Sequence, residues 1–136
     1  MRWDLGDVNY LVAVVAVIAN FVIGFAWYAG PLSKMWMEAA GVTKEQAQKA
    51  QVMPLAFSAV RTFVAAVALN LIFDNLSRDA GLAEGLGLGL LIGLGIAAPN
   101  LVMHYVFALR NKLAVIDGAH TVVEMAVMGI IIGSWQ

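Results

Sequence analysis

The sequence VNYLVAVVAVIANFVIGFAWY occupies residues 8–28, a run of 21 residues without a charged side chain. An α-helix needs roughly 20 apolar residues to cross the hydrocarbon layer of a bilayer. The run ends in Trp27 and Tyr28, which favour the membrane interface, and Gly30 and Pro31 follow as helix breakers. The pattern predicts a membrane-spanning helix over residues 8–28.

Three further apolar stretches follow, at about residues 55–76, 82–109 and 114–134. The composition agrees, because 62% of the chain is hydrophobic and only 12% is charged, whereas about a quarter of a soluble domain is charged. Short connections make consecutive helices antiparallel neighbours. We therefore predict one all-α domain over residues 1–136, a polytopic membrane protein with four transmembrane helices in an up-down bundle.

The connector at residues 31–53 has a mixed character. Residues 34–38, KMWME, combine charged and large apolar side chains, as interfacial helices do. Thr43 and Gln46 have the spacing of a capping box, in which two side chains satisfy the first backbone N–H groups of a helix. We expect a short interfacial helix in this connector.

The charge and the cysteine count exclude several classes of function. A net charge of −1 argues against nucleic acid as a partner, because phosphate binding needs a basic surface. The absence of cysteine excludes disulfides, thiolate metal sites and cysteine nucleophiles. The lipid bilayer is the partner that the composition predicts.

The lysines and arginines are distributed unevenly between the two ends of the predicted helices. Arg2 and Arg78 lie on the side of the chain termini, whereas the first and third connectors carry Lys34, Lys44, Lys49, Arg110 and Lys112. Cytoplasmic loops are enriched in positive charge. We therefore expect a multi-pass protein with both termini outside and these two connectors in the cytoplasm.

Glycines recur at every fourth position in two of the predicted helices. Gly85, Gly89 and Gly93 share one face of the third helix, and Gly129 and Gly133 repeat this spacing in the fourth. Such faces let a second helix approach closely in a membrane. We expect them to mediate helix contacts, including the contacts of a homo-oligomer.

A set of motifs is spread along the chain. They are NFVIGFAWY at residues 20–28, followed by Pro31 and by KMWM at 34–37, then the third-helix glycines, Arg110, DGAH at 117–120 and VMG at 127–129. With these motifs the chain resembles a family of small bacterial membrane proteins grouped as domain of unknown function 1761. The resemblance covers essentially the whole chain. It implies a four-helix fold in the bacterial inner membrane, and it supplies no activity, cofactor or catalytic residue.

Ionisable residues within the spans are the candidates for chemistry, because a charge at the bilayer centre costs at least about 2.5–3.5 kcal/mol unless it has a partner. Counting along the helices places these residues, and two asparagines, at one level in the cytoplasmic half. They are Arg61, His104, Asp117, His120 and Glu124, with Asn20 and Asn100.

The spacing of these residues predicts stripes that face the interior of the bundle. Asp117, His120 and Glu124 are three and four residues apart, and Asn100 and His104 are four apart. We expect a buried polar chamber in which Glu124 pairs with Arg61, the two histidines flank this pair, and Asp117 lies at the cytoplasmic opening. The candidate catalytic residues are Glu124, Asp117 and His120, and the candidate ligand-binding residues are Arg61, His104, Asn100, Asn20, Trp27 and Tyr28.

Three functions fit such a chamber. The first is binding or transport of a small molecule or proton, with Glu124 as the proton-binding group. The second is an intramembrane enzyme that uses Glu124 or Asp117 as general acid or base on a lipophilic substrate, with Arg61 holding an anionic group. The third is a structural or accessory subunit, in which the polar groups only join helices.

A metal site is a further reading of the same residues. His104, His120 and Glu124 could supply ligands to a divalent cation. Arg61 in the same layer would repel that cation. We therefore expect neither a metal nor another cofactor.

Overall fold

The computed structural model describes residues 3–49, 52–76 and 81–135. Arg2 and Arg78, on which the expected charge asymmetry depends, lie outside the described residues, as does most of the predicted turn at 77–81. Every candidate residue of the predicted chamber lies in a helix.

Within these described residues, four helices are long and apolar enough to cross a membrane, and they begin and end within three residues of the predicted bounds. The predicted first connector contains two shorter helices rather than one. In chain order the helices are α1 (Tyr10–Ala29), α2 (Ser33–Ala40), α3 (Lys44–Lys49), α4 (Val52–Leu76), α5 (Leu82–Phe107) and α6 (Asn111–Gly133).

The predicted capping box is present at the start of α3. The backbone N–H of Thr43 donates to Oε1 of Gln46 over 2.8 Å, and the backbone N–H of Gln46 donates to Oγ1 of Thr43 over 3.2 Å. Gly41 ends α2 with a φ of 69°, a left-handed conformation that glycine adopts without a steric penalty. Local sequence signals therefore determine where α2 ends and where α3 begins.

The last helix, α6, lies at the centre of the bundle. In its most apolar window 56% of the residues are buried, compared with 22% in α1, 22% in α4 and 17% in α5. It packs against α5 on one side and against α1 and α4 on the other. Within the described residues α4 and α5 make little contact, although we expected consecutive helices to be neighbours. Polar side chains on α6 are therefore the ones that can meet all the other spans.

The glycine faces join α5 to α6 within one chain. A Cβ atom added to Gly85 would collide with the backbone oxygen of Gly129, and one added to Gly89 would collide with that of Met125. The two helices reach this separation only because the glycines have no side chains. α5 and α6 therefore cover each other's glycine faces, and the homo-oligomer stays a prediction.

The apolar core lies toward the chain termini and leaves the polar residues at the other end of the bundle. It joins the start of α1, the end of α4 and the end of α6. Its buried members include Val12, Ala13, Ala16, Ala66, Leu69, Phe73, Met125, Met128 and Ile132. The candidate residues of α1, α4 and α6 lie between this core and the connectors that carry the lysines.

Two of the long helices contain a π-helical turn, in which the hydrogen bonds span five residues rather than four. One is Phe25–Ala29 at the end of α1, and the other is Gly93–Ala97 in the middle of α5. Each such turn accommodates one extra residue and changes which side chains face a neighbouring helix.

Candidate functional site

Arg61 and Glu124 form the ion pair that their positions predict. Nη2 of Arg61 donates to Oε1 of Glu124 over 2.6 Å. The Glu124 side chain is only 1% exposed, whereas that of Arg61 is 45% exposed. A buried carboxylate is stable when a cation and further hydrogen bonds compensate for its lost hydration. The pair therefore joins the interior of the bundle to its surface.

Thr62 links this pair to α1. Its Oγ1 lies 3.2 Å from Oε1 of Glu124 and 2.7 Å from Nδ2 of Asn20, which must be the donor because an amide nitrogen carries only hydrogens. The Thr62 hydroxyl accepts from Asn20 and is free to donate to Glu124. Nδ2 of Asn20 also lies 3.4 Å from Oγ of Ser58. Three helices thus contribute to one chain of hydrogen bonds that ends on the carboxylate.

Sequence reasoning missed Thr62 and Ser58. Both are small polar residues in an otherwise apolar helix, and they are four positions apart, so they share one face of α4. That spacing was the available signal. The predicted chamber contained ionisable residues, asparagines and aromatic residues, and no hydroxyl side chain of α4.

Three polar atoms in this region have no hydrogen-bond partner within the part of the chain that the structure describes. They are Oε2 of Glu124, Nε2 of His120 and Oδ1 of Asn20, and their residues are 1%, 7% and 5% exposed. Buried polar side-chain atoms are nearly always hydrogen-bonded in folded proteins. These three atoms are therefore the positions at which a proton, a water molecule or a ligand can be bound.

Aromatic rings enclose His120 from the connector side. Its ring centre lies 5.5 Å from that of Trp27 and 5.0 Å from that of Tyr28. Tyr28 in turn meets the edge of Trp36 in α2, with ring centres 5.3 Å apart. The π-helical end of α1 and the first connector helix thus form an apolar wall over this end of the site.

Asp117 corrects our expectation of an opening toward the cytoplasm. It is 6% exposed, and both of its carboxylate oxygens accept hydrogen bonds. Tyr28 donates to Oδ1 over 3.2 Å, and Tyr105 donates to Oδ2 over 2.7 Å. Next to it, Nε1 of Trp27 donates to the backbone oxygen of Ile116 over 3.0 Å. Asp117 therefore joins α1 and α5 to α6 instead of lying at an open mouth.

Asn100 and His104 lie outside the chamber, contrary to our expectation. Both are exposed on α5. The side chain of Asn100 donates to the backbone oxygen of Ile96 over 2.7 Å, and the His104 ring lies beside the ring of its neighbour Tyr105. Their four-residue spacing places them on one face, as predicted, but that face points away from α6.

The π-helical turn Gly93–Ala97 explains the error. In an uninterrupted α-helix, the residues seven and eleven positions after Gly93 continue its face, and these are Asn100 and His104. The extra residue of the π turn moves this face by one position, so that Tyr105 meets Asp117 instead. Tyr105 is thus a residue of the site that the regular helical spacing could not identify.

The combination of His104, His120 and Glu124 that we considered for a metal is not assembled. His104 points away from the other two residues. Across residues 3–49, 52–76 and 81–135, no three histidines, aspartates and glutamates are grouped so that they could hold a metal ion.

The sequence matches a known protein family. Residues 11–133 match the family model described as "Protein of unknown function (DUF1761)". No curated protein and no solved structure matches the chain. The matched segment contains every residue of the site, from Asn20 to Glu124, and nearly the whole of the four spans. Because the match covers almost the entire chain, this protein belongs to the DUF1761 family of proteins of unknown function.

Proposed function

We propose that this protein is a membrane carrier whose site between α1, α4 and α6 binds a proton together with a small molecule. Glu124 is the proton-binding group in this proposal. The proposal rests on one observation: Glu124 is almost fully buried, and its Oε2 lacks a hydrogen-bond partner among the described residues.

The geometry of Glu124 suits a group that changes its charge. Arg61 and Thr62 both contact Oε1, so a proton can bind at Oε2 without displacing either contact. A neutral carboxylic acid would still accept at Oε1 and would gain a donor at Oε2. The site therefore tolerates two protonation states with the same arrangement of side chains.

Asp117 on the same helix provides an internal comparison. Its two oxygens are both hydrogen-bonded to tyrosine hydroxyls, which is the arrangement expected of a carboxylate that only fixes the packing of helices. Glu124 lies seven residues further along and has one oxygen unpartnered. This difference supports a structural role for Asp117 and an exchange role for Glu124.

Infrared difference spectroscopy of the protein in lipid membranes tests whether Glu124 binds a proton. On acidification we expect a carbonyl band of a carboxylic acid in an apolar environment to appear in the wild type and to be missing in Glu124→Gln. Glu38→Gln, which alters an exposed carboxylate of α2, is the matched control and should keep the band. A band that persists unchanged in Glu124→Gln would rule out this assignment.

A transport assay separates the carrier from the other two readings. Liposomes that contain the protein and an internal pH dye should acidify under an inward pH gradient when a small-molecule probe, 4-phenylbutyrate, is added outside. Glu124→Gln should abolish this protein-dependent acidification, while Glu38→Gln should keep it. An accessory subunit would give no flux in either case. An intramembrane enzyme would require Glu124 for turnover of a substrate and not for flux.

The orientation that we propose places the connectors before α4 and before α6 in the cytoplasm of a bacterial cell. Nη1 of Arg110 lies 3.3 Å from the backbone oxygen of Ala40, its hydrogen-bond acceptor, and this contact brings the two connectors together. Lys34, Lys44 and Lys112 are exposed on this end of the bundle. Their positive charge supports a cytoplasmic location, and in that orientation the site would lie in the cytoplasmic half of the membrane.

A further inference from the structure

We propose that the small molecule is a lipophilic anion, which reaches Arg61 through an open groove on α4 and is taken up together with one proton on Glu124. This inference rests on the proposed function, because it names the ligand of the same site. It follows from the geometry of the groove, the exposure of Arg61 and the balance of charge between Arg61 and Glu124.

An open groove of about 720 Å³ runs along one face of α4. It is lined by Met53, Pro54, Phe57, Ser58 and Arg61. These residues recur at intervals of three and four, so they form a single stripe on the helix. Because α4 packs against α1 and α6 and makes little contact with α5, the bundle leaves this stripe open to the bilayer.

The surface of the groove is mainly apolar, and its two polar lining residues lie at one end. Met53, Pro54 and Phe57 form the part near the start of α4, and Ser58 and Arg61 form the inner end. Arg61 lines the groove and also reaches the buried Glu124. A molecule with an apolar body and a polar head matches this order.

The charge of the head group follows from Arg61. Its guanidinium bonds the buried Glu124, while the side chain as a whole is 45% exposed and Arg61 is one of the residues that line the groove. A guanidinium carries five donors, and the contact to Oε1 of Glu124 uses one of them. Carboxylates and similar planar anions match the geometry of these donors, whereas Arg61 repels a cationic head.

Charge balance couples this anion to a proton. With Glu124 ionised, the Arg61–Glu124 pair is neutral, and a bound anion would leave one uncompensated negative charge in an apolar region. If a proton from water binds at Oε2 of Glu124, the anion takes over the role of counter-ion to Arg61. The site is then neutral before and after uptake, so binding one anion favours binding one proton.

The other titratable groups around Glu124 come from three helices. His120 and Asp117 lie on α6 itself, Tyr28 lies on α1, and Tyr105 lies on α5. The oxygens of Asp117 are already held by the two tyrosines, so His120 is the competitor for the proton. The experiment must therefore distinguish Glu124 from His120.

Calorimetric titration of the protein in lipid nanodiscs tests the proposal with two probes, 4-phenylbutyrate and 4-phenylbutylamine, which share a skeleton and carry opposite charges. We expect only the carboxylate to bind near neutral pH. Titrations in two buffers of different ionisation enthalpy should show uptake of about one proton per bound anion. The amine is the matched control for partition into the lipid.

Three variants locate the groups involved. Arg61→Gln should weaken 4-phenylbutyrate binding by about tenfold or more, because it removes a charge-assisted contact. Lys112→Gln removes an equal charge from an exposed position and should bind as the wild type does. Glu124→Gln should bind the anion at least as tightly, without proton uptake and without dependence on pH. If Arg61→Gln fails to fold, the two probes still test the charge of the ligand, and Glu124→Gln still tests the coupling to a proton.

Several results would overturn the proposal. Binding of the amine in preference to the carboxylate, or binding of neither, excludes a lipophilic anion, while the infrared band of Glu124 would leave the proton-binding role standing. Anion binding without proton uptake excludes the coupling. Uptake that persists in Glu124→Gln and disappears in His120→Asn assigns the proton to His120 instead.

Discussion

The Tyr105 hydroxyl donates to Oδ2 of Asp117 over 2.7 Å, and this contact depends on one extra residue earlier in the same helix. The π-helical turn Gly93–Ala97 lets the first part of α5 present glycines to α6 and the second part present Tyr105. Asp117 also accepts from Tyr28, so the start of α6 is tied to the ends of α1 and α5. The aromatic wall over His120 therefore depends on the hydrogen bonds that Asp117 accepts from these tyrosines.

Removing one residue from the π turn should be tolerated. Deletion of Gly95, whose added Cβ would meet no atom within 4 Å, should convert the turn to regular α-helix and leave Tyr105 facing Asp117. Insertion of one alanine after Gly95 should rotate Tyr105 away. The chain has no native cysteine, so a Val102→Cys, Gly118→Cys pair can report the register by disulfide formation.

These two positions are suited to cross-linking because a Cβ added to Gly118 would lie 3.0 Å from Cγ2 of Val102. We expect the cross-link in the full-length chain and in the Gly95 deletion, and its loss in the insertion. Loss of the cross-link on deletion would show that the π turn does not absorb the extra residue.

The tyrosine contacts to Asp117 should contribute measurably to stability. Tyr28→Phe and Tyr105→Phe each remove one hydroxyl donor, and each should lower the free energy of unfolding by about 1 kcal/mol, as hydrogen bonds between membrane helices do. Tyr10→Phe removes a hydroxyl that bonds the backbone of Leu5 at an exposed position, and it serves as the control. Reversible unfolding in mixed micelles measures the differences.

If Tyr105→Phe proved as stable as Tyr10→Phe, the contact to Asp117 would carry no net energy. The aromatic wall would then be held by packing alone.

The glycine faces give a prediction with a control in the same helix. Gly85→Ala should destabilise the protein by about 1–3 kcal/mol, because the new methyl group would collide with the backbone of Gly129. Gly87→Ala, two positions away, meets no atom within 4 Å and should be neutral or slightly stabilising. Thermal unfolding of the two variants measures the difference, and equal stability would contradict the close contact between α5 and α6.

The Arg61–Glu124 pair should behave asymmetrically on substitution. Arg61→Leu leaves Glu124 buried without its counter-ion and should cost about 2–3 kcal/mol, less than for a fully enclosed pair because Arg61 is partly exposed. The double variant Arg61→Leu, Glu124→Leu removes both charges and should recover most of that loss. Unfolding experiments on both variants measure this difference.

The double variant also separates stability from function. It should fold and should lack both proton-driven flux and the infrared band of Glu124. A double variant that retains pH-driven flux would place the transported proton elsewhere in the chain.

The orientation in the membrane can be tested with single cysteines. Lys44→Cys lies at the exposed start of α3, and Glu84→Cys lies at the exposed start of α5, near the other end of the bundle. In intact bacterial cells a membrane-impermeant maleimide should label Glu84→Cys and should reach Lys44→Cys only after lysis. The opposite pattern would reverse the proposed orientation.

Much of the fold follows from local sequence signals. The length of each apolar run, the aromatic residues and breakers after residues 8–28, and the capping box at Thr43 all depend on neighbours within a few positions. These signals predicted four spanning helices and their approximate ends. The partners Arg61 and Glu124 could also be anticipated, because few other groups in the spans can compensate for a buried charge.

The tertiary structure decided which faces meet. Asn100 and His104 have the right spacing for an inward stripe, yet the π turn rotates them outward and brings Tyr105 to Asp117. The glycine spacing of α5 and α6 is equally compatible with contacts between two chains, but in the structure these glycines pack against each other within one chain.

The sequence by itself determined the number of spans and the residue types that must avoid lipid, since the free energy of transfer into a bilayer depends on each stretch independently of its partners. Helix rotation, the central position of α6 and the unpartnered oxygen of Glu124 were decided only by the tertiary structure. These features depend on contacts between segments that are far apart in the chain, and the rotation of α5 depends on the one extra residue of its π turn. Composition and periodicity do not encode either of these.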